Sequence, residues 1–305
     1  SCGVRITPTV KGSSADIRVQ TRVEGEGEVE ITVTDAAGST VLTGTGTDTT
    51  LTMQHPRLWD GVRDPYLYTC VVRLMKDGQP VDEVRQRFGV RSFSVDPKQG
   101  FFLNGRPYPL HGVSRHQDRK GLGNAITREM HDEDMQLIKE LGANTIRLAH
   151  YQHDQYFYDL CDEVGMVVWA EIPYISEHMP NGRANTISQM KELIHQNYNH
   201  PSIMFWGISN EILIGGISQE LVDTHHDLEK LCKELDPTRL TTIAHVSHTP
   251  VDGPMHHITD LESYNHYFGW YGGKMEQNGP WLDKFHADHP DICIGVSEYG
   301  CEGII

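Results

Sequence analysis

Apolar and polar residues alternate with a period of two along the first 95 residues of the chain. The alternation is clearest at 15–23, 28–35 and 70–74, whose apolar members are Ile17, Val19, Val23, Val29, Ile31, Val33, Cys70, Val72 and Leu74. Alternate side chains of a strand point to the same face, so each run predicts a strand with one face in a core. Turn-forming residues at 35–38 and 76–80 separate the runs. Several short strands at this spacing predict a small β-sandwich.

From residue 101 onward the pattern changes to strands that alternate with helices. Asn104 and Gly105 lie between two apolar arms and predict a type I′ hairpin. Helical periodicity occurs at 127–142, with Met135, Ile138 and Leu141 on the inward face, and again at 154–164. Buried strands are predicted at 109–114, 145–151, 166–172, 203–209, 240–246, 261–267 and 292–297. Repeated units of this kind predict a parallel sheet with helices outside, and seven strands indicate an eight-stranded (β/α) barrel.

The change of pattern near 94–100 divides the chain into a β-sandwich at 1–95 and a barrel domain at 96–305. The predicted fold class is therefore α/β, a TIM barrel preceded by a small sandwich. The chain ends soon after the seventh strand. We expect a barrel truncated after strand seven, with the eighth strand missing or another segment closing the sheet.

The acidic composition narrows the choice of partners. Lys and Arg number 26 against 42 Asp and Glu, which gives a formal net charge of −16. Such a surface repels phosphate backbones, which argues against nucleic acid and favours a neutral substrate. No run of 18 uncharged apolar residues occurs, so no membrane span is predicted. No signal peptide is visible, and the chain begins so close to a strand that we expect it to be a fragment.

The cysteines are scattered and form no CxxC pair. Three of them, Cys161, Cys232 and Cys293, lie in apolar stretches and are predicted to be buried thiols. An immunoglobulin-type disulfide is not expected, because the sandwich contains only Cys2 and Cys70. This usage favours a reducing compartment, and we expect a cytoplasmic protein.

Polar side chains follow nearly every predicted barrel strand. In such barrels the site forms where the strands end, so these residues are the candidates for chemistry. Every strand end but the fifth carries an acid, a base or an amide: Ser114, Arg115 and His116; Arg147 and His150; Glu171; Asn210 and Glu211; Asn265 and Tyr267; Glu298 and Tyr299. This density is the main argument from the residues for an enzyme.

Two glutamates stand out because strands four and seven lie on opposite walls of the predicted ring. Glu211 and Glu298 would then face each other across one pocket. A gap of about 5 Å between carboxyl groups suits a retaining glycosidase, whereas a wider gap admits water and implies inversion. Each residue also has a structural interpretation: a lone Glu can pair with Arg147, and Tyr267 can belong to a packed aromatic cluster.

Five sequence blocks, in order, resemble glycoside hydrolase family 2. They are FGVRSF (88–93), GFFLNGRPYPLHGVSRHQD (100–118), IRLAHYQ (146–152), NHPSIMFWGISNE (199–211) and GVSEYG (295–300). The family comprises β-galactosidases, β-glucuronidases and β-mannosidases. The resemblance covers nearly the whole chain and implies an immunoglobulin-like domain at 1–95 followed by the catalytic barrel.

The resemblance also implies a role for each matching residue. Glu211 would be the general acid/base and Glu298 the nucleophile. Asn210 would hold the sugar 2-hydroxyl, and Tyr267 and Arg147 would contact the nucleophile. His116 and His150 would bind sugar hydroxyls or the developing charge, and Asn265 is placed among the substrate-binding residues. The block SRHQD favours the β-galactosidase branch, with β-glucuronidase as the alternative. The full-length protein is expected to be a homo-oligomer that acts on a carbohydrate.

Two features depart from the family pattern. Family β-galactosidases often hold magnesium with a Glu-x-His segment after strand three, but here Glu177 and His178 are adjacent. Magnesium is therefore possible by resemblance without matched ligands, and no cofactor or metal residue is assigned. The family's sugar-binding jelly roll, which the resemblance places before residue 1, is not expected within these 305 residues.

Two other functions stay open at this point. One is a non-catalytic carbohydrate-binding fragment. The other is an unrelated barrel hydrolase with a metal at Glu171 and His178.

Overall fold

The computed structural model describes residues 3–301, and its first unit is an antiparallel β-sandwich. The seven strands are β1 (Val4–Lys11), β2 (Ser14–Thr21), β3 (Glu28–Thr34), β4 (Thr40–Thr45), β5 (Asp48–Gln54), β6 (Tyr68–Lys76) and β7 (Gln79–Phe88). One sheet has the order β1-β2-β5 and the other β4-β3-β6-β7. The alternating residues predicted to face a core do so: Ile17, Val19, Val29, Ile31 and Val33 are all buried between the sheets. The immunoglobulin-like sandwich is confirmed.

A small three-stranded sheet follows the sandwich. It consists of β8 (Phe93–Asp96), β9 (Gly100–Leu103) and β10 (Arg106–Pro107), paired in the order β10-β9-β8. Asn104 and Gly105 connect β9 to β10 with φ of 52° and 75°, so the predicted hairpin is confirmed. Phe101 packs against Phe205 of the barrel with ring centroids 5.9 Å apart. The division at residues 95 and 96 stays our assignment; it falls within β8.

Seven parallel strands form the main sheet and neighbour each other in chain order. They are β11 (Gly112–Arg115), β12 (Thr145–Leu148), β13 (Val167–Glu171), β14 (Ile203–Asn210), β15 (Leu240–Val246), β16 (Leu261–Asn265) and β17 (Ile294–Glu298). Ser114 donates a hydrogen bond to the carbonyl of Ser297, 3.3 Å away, so the first and last strands approach each other. The TIM barrel truncated after its seventh strand is confirmed.

Five α-helices accompany these strands within the described part of the chain. They are α1 (Arg128–Glu140), α2 (Gln155–Val164), α3 (Arg183–Asn197), α4 (Gln219–Leu235) and α5 (Asn278–Asp288). Met135 and Ile138 are buried as predicted, but Leu141 is 73% exposed. Its inward placement was wrong because α1 ends at Glu140 and Leu141 is the capping residue, where the helical spacing no longer applies. No helix occurs in 247–260, so a loop connects β15 to β16.

Hydrogen bonds connect the sandwich to the end of the barrel where β14 begins. The Asn199 amide accepts the N–H of Ile6 and donates to the carbonyl of Val4, both at 2.8 Å. Arg91, which follows the sandwich, donates to the carbonyls of Pro201 and Ile203. The start of β14 is therefore fixed by contacts from the preceding unit.

The cysteines and the helices bear on two further expectations. Cys161 and Cys232 are buried as predicted, and burial raises the pKa of both thiols. Cys293 is only half-buried, because it precedes β17, the last strand of the sheet. Cys70 is a free buried thiol, and Cys2 lies outside the described residues. No helix within 3–301 has the length and apolar character needed to cross a membrane.

Candidate active site

The carboxyl ends of the barrel strands bring the predicted site residues together. Arg147 lies in β12, Asn210 ends β14, Asn265 ends β16 and Glu298 ends β17. Parallel strands that neighbour each other in register end at the same edge of a sheet, which explains why residues so distant in sequence meet. Glu171, the last residue of β13, lies among them and is 1% exposed.

Arg147 is the centre of the hydrogen-bond network. Its Nη1 donates to Glu298 Oε1 at 2.5 Å, and its Nη2 donates to Asn210 Oδ1 at 2.7 Å. Its Nε and Nη2 also donate to the two oxygens of Glu171, each at 2.9 Å. Burial by itself would lower the pKa of Arg147, but the charges of Glu171 and Glu298 raise it above its ordinary value. Arg147 is therefore a permanent cation placed between two carboxylates.

Both oxygens of Glu298 are held by donors. Arg147 occupies Oε1, and the Tyr267 hydroxyl donates to Oε2 at 2.6 Å. Burial raises the pKa of Tyr267, and the hydrogen bond and charge of Glu298 and the charge of Glu211 raise it further. The phenol thus stays protonated and keeps donating. Tyr267 does pack edge-on against Tyr271, 5.1 Å away, but its hydroxyl points at Glu298 and not into the aromatic cluster.

Glu211 follows β14 with a left-handed backbone, φ 47° and ψ 30°. This conformation costs a residue other than glycine about 1–3 kcal/mol and persists where surrounding contacts impose it. Here the N–H of Glu211 donates to the carbonyl of Ala244 at 2.8 Å. Its Oε1 accepts from Asn265 Nδ2 at 2.9 Å.

One amide joins the two halves of the network. Asn265 Nδ2 contacts Asn210 Oδ1 at 3.2 Å as well as Glu211, and Asn265 Oδ1 accepts from Ser297 Oγ at 2.7 Å. Glu211 is thereby linked through Asn265 and Asn210 to Arg147 and Glu298. Both glutamates lie at the same edge of the barrel, as expected from their positions after strands four and seven.

The two histidines occupy different depths. His150 Nδ1 lies 2.6 Å from Glu171 Oε1 and 3.1 Å from Arg147 Nη2, and its Nε2 lies 3.7 Å from Glu298 Oε1. His116 is exposed at the rim, and its ring meets that of His150 edge-on at 5.1 Å. The structure therefore places every predicted site residue in or beside one network.

Three contributors were missing from the predicted site. Glu171 bonds Arg147 and His150, but the sequence placed it only at a polar strand end and in the alternative metal site with His178. Trp169 lies beneath Arg147, with the guanidinium carbon 5.0 Å from the ring centroid. Ser297 orients Asn265. Trp169 and Glu171 are two residues apart in one strand and share a face, so period-two spacing was the signal that could have found both.

Glu177 and His178, the adjacent pair to which no metal was assigned, do not converge into a magnesium site within the described residues. The Nδ1 of His178 lies 2.6 Å from the Tyr174 hydroxyl, and its Nε2 is 3.8 Å from a carboxylate oxygen of Glu220. Neither Glu177 nor His178 belongs to a group of three His, Cys, Asp or Glu side chains that converge within the described residues. Glu171 is bonded to Arg147 and His150 instead, so it does not form a metal site with His178 either.

The comparisons with known proteins agree with this geometry. Residues 95–304 match the model described as glycosyl hydrolases family 2, TIM barrel domain, and residues 3–91 match glycosyl hydrolases family 2. A β-glucuronidase from Bacteroides fragilis is 45% identical over 82% of this chain and 36% of its own length. A β-galactosidase from Thermoanaerobacterium thermosulfurigenes is 36% identical over 61% of this chain and 25% of its own.

A solved structure extends the comparison to three dimensions. The FMN-binding β-glucuronidase from Facaelibacterium prausnitzii L2-6 is 58% identical, with a TM-score of 0.96 over 99% of this chain and 48% of that chain. The chain thus spans less than half the length of these relatives. An unrelated barrel hydrolase is ruled out, because the chain belongs to glycoside hydrolase family 2.

Proposed function

We propose that the protein containing this chain is a retaining exo-β-glycosidase. One observation supports this most directly. Arg147 and Tyr267 donate hydrogen bonds to the two oxygens of Glu298, and Glu211 lies in the same network. A carboxylate held on both oxygens has a fixed orientation, which is what a nucleophile needs to attack one carbon of a bound sugar.

In the first step a Glu298 oxygen attacks the anomeric carbon. The bond from that carbon to the leaving oxygen breaks, and Glu211 gives its proton to this oxygen. A glycosyl ester on Glu298 results. In the second step Glu211 takes a proton from water, and the water oxygen displaces Glu298 from the anomeric carbon.

The amides and histidines around the carboxylates would hold the sugar. Asn210 Oδ1 accepts bonds from Arg147 and Asn265, so the side chain offers its N–H group as a donor to the 2-hydroxyl. A bond to this hydroxyl that strengthens in the transition state lowers the barrier. His150 Nε2 and His116 lie on the side of Glu298 where further hydroxyls would bind.

We propose a β-glucuronide, not a β-galactoside, as the substrate. The relatives named β-glucuronidase are 45% and 58% identical, against 36% for the β-galactosidase, which favours the alternative over the branch suggested by SRHQD. The expectation of a neutral substrate came from the net charge of the whole chain. That charge does not determine the field in a pocket that contains Arg147.

Hydrolysis of nitrophenyl glycosides tests both parts of the proposal. In the longest natural form of the protein we expect faster turnover of the β-glucuronide than of the β-galactoside. Glu298→Gln should abolish turnover of both, because an amide does not form the glycosyl ester. Unimpaired turnover by this variant would reject Glu298 as nucleophile, and a preference for galactoside would reject the sugar alone. Three expectations stay predictions. They are homo-oligomerisation, a cytoplasmic location and the assignment of no certain cofactor.

A further inference from the structure

A second group of titratable side chains lies on the opposite face of the barrel strands from the candidate active site. Along β16, Glu262 and Tyr264 alternate with Ser263 and Asn265, so they point away from the pocket. Tyr264 packs against Phe285 of α5, with ring centroids 5.9 Å apart, which confirms that this face belongs to the outer layer. The loop 247–260 covers this part of the sheet in place of a helix.

Three potential ligand atoms converge in this layer. His245 Nε2, from β15, lies 2.7 Å from Glu262 Oε2, and His256 Nδ1, from the loop, lies 3.4 Å from the same oxygen. All three atoms lie within 4.8 Å of one another. The two imidazole rings stack with centroids 4.6 Å apart and planes at 14°, so both present a nitrogen to the same carboxylate.

The outer polar atoms of Glu262 and His256 are bonded to neighbouring groups. The backbone N–H of His257 donates to Glu262 Oε1 at 2.8 Å, and His256 Nε2 lies 2.9 Å from the Tyr264 hydroxyl. His256 Nδ1 is buried, and its 3.4 Å approach to Glu262 Oε2 lacks the alignment of a hydrogen bond; His256 is 5% exposed. An unsatisfied buried polar atom of this kind costs about 1–3 kcal/mol. A cation between His256 Nδ1 and Glu262 would satisfy it.

We propose that His245, His256 and Glu262 bind a divalent transition metal of the Zn²⁺ class. Two imidazole nitrogens and one carboxylate oxygen form a common zinc ligand set, with a fourth position left for water. Ligand atoms about 2.0–2.2 Å from a tetrahedral ion lie roughly 3.3–3.5 Å apart. The 3.4 Å between His256 and Glu262 already matches this spacing, and the His245–Glu262 contact would open by about 0.6 Å.

The surrounding contacts suit a metal site. Residues that hold the outer atoms of metal ligands orient those ligands and tune their affinity. Here Tyr264 holds the far nitrogen of His256, and the backbone of His257 holds the second oxygen of Glu262. Imidazole ligands favour zinc over magnesium. The ion would fasten the loop to the strand that ends in Asn265, a structural function that does not depend on the proposed glycosidase activity.

Metal analysis of the purified protein tests this proposal. The protein in its longest natural form is loaded with Zn²⁺, dialysed and analysed by mass spectrometry for zinc per chain. We expect about one zinc in the wild type and none at this site in His256→Gln. The matched control is His257→Asn, which alters the exposed neighbouring histidine and keeps a residue that tolerates its φ of 60°. This control should keep its zinc.

Cobalt gives a readout independent of stoichiometry. Co²⁺ in a four-coordinate site absorbs visible light strongly, so the wild type and His257→Asn should show these bands and His256→Gln should lack them. A wild type that binds no zinc, or equal zinc in wild type and His256→Gln, would overturn the proposal and leave a hydrogen-bonded network. If His256→Gln does not fold, Tyr264→Phe decides: zinc binding weaker by about tenfold supports the site, and unchanged affinity overturns it.

Discussion

Glu171 bonds Arg147, which in turn bonds the proposed nucleophile Glu298. Replacing Glu171 with glutamine tests this arrangement. The side chain is wholly enclosed, with both oxygens bonded to Arg147 and one also close to His150. Burial by itself would raise the pKa of Glu171, but Arg147 and His150 hold the pKa below its ordinary value. Glu171→Gln keeps the shape and removes the charge, which leaves buried Arg147 with Glu298 as its remaining anionic partner in this network.

The expected magnitude follows from the burial of the pair. Removing one partner of a buried ion pair destabilises a protein by about 3–5 kcal/mol. The amide oxygen of glutamine still accepts one bond from Arg147, so we expect the lower end, about 3 kcal/mol. Arg147 would then act on Glu298 alone and make it a weaker nucleophile. Altering a hydrogen bond to a charged group by about 1.5–3 kcal/mol corresponds to a loss of roughly 10- to 100-fold in kcat/KM.

Asp236→Asn is the matched control for this experiment. Asp236 is also buried and paired with an arginine, since its Oδ2 accepts from Arg239 at 2.7 Å and from Trp206 Nε1 at 3.0 Å. It precedes β15 and so lies at the other end of the barrel strands. We expect a similar loss of stability but unchanged kcat/KM per folded molecule.

Denaturation by guanidinium chloride, followed by tryptophan fluorescence, measures the stability of all three proteins. Four of the five tryptophans lie after residue 96 and report on the barrel. Hydrolysis of a nitrophenyl β-glucuronide below the transition gives kcat/KM. The reasoning is refuted if Glu171→Gln unfolds at the wild-type denaturant concentration. It is equally refuted if both variants lose the same activity per folded molecule, because Glu171 would then act through stability alone.

Three further predictions concern pH, the phenol and the chain by itself. Because the folded-state pKa of Glu171 is lowered from 4.5, its contribution to stability is present above that pH and is lost as the pH falls through the folded-state pKa. The free energy of unfolding should therefore depend less on pH in this acid window for Glu171→Gln than for the wild type. Parallel curves for the two proteins would contradict this. Tyr267→Phe removes the 2.6 Å bond to Glu298 and should lower kcat/KM by roughly 10- to 100-fold. The control Tyr299→Phe alters an exposed phenol and should leave kcat/KM unchanged. Equal effects of the two variants would count against Tyr267 as the residue that holds the nucleophile. The outer edges of β11 and β17 have no paired strand within residues 3–301, and unpaired edges promote association with other chains. The 305-residue chain alone should therefore show little turnover. Robust activity of this purified chain would disprove that.

The sequence predicted that the candidate site residues lie together, because their positions at strand ends follow from periodicity. Buried parallel strands are continuous apolar runs, so the point where a run meets a carboxylate or an amide marks the edge of the sheet. Glu211 and Glu298 were found in this way. The pairing of Glu171 with Arg147 was not predicted, because the set of carboxylates around Arg147 depends on side-chain directions within the barrel.

The outer layer was harder to predict than the pocket. The fifth strand end was judged to lack an acid, base or amide, although His245 lies within this strand and faces outward to Glu262. Its partner His256 comes from a loop without periodicity, so no spacing rule connects them. Periodicity also misplaced Leu141. This apolar residue continues the helical spacing in the sequence, but it lies one position beyond the last residue of α1 and its side chain is exposed to water.

The β9–β10 hairpin places apolar side chains at the amino-terminal end of the barrel strands. Phe101 and Leu103 pack there in one buried cluster with Trp169 and Phe205, and Trp169 lies beneath Arg147. Because a close-packed apolar layer leaves little room for water, we expect a sugar to reach Arg147 from the carboxyl ends of the strands.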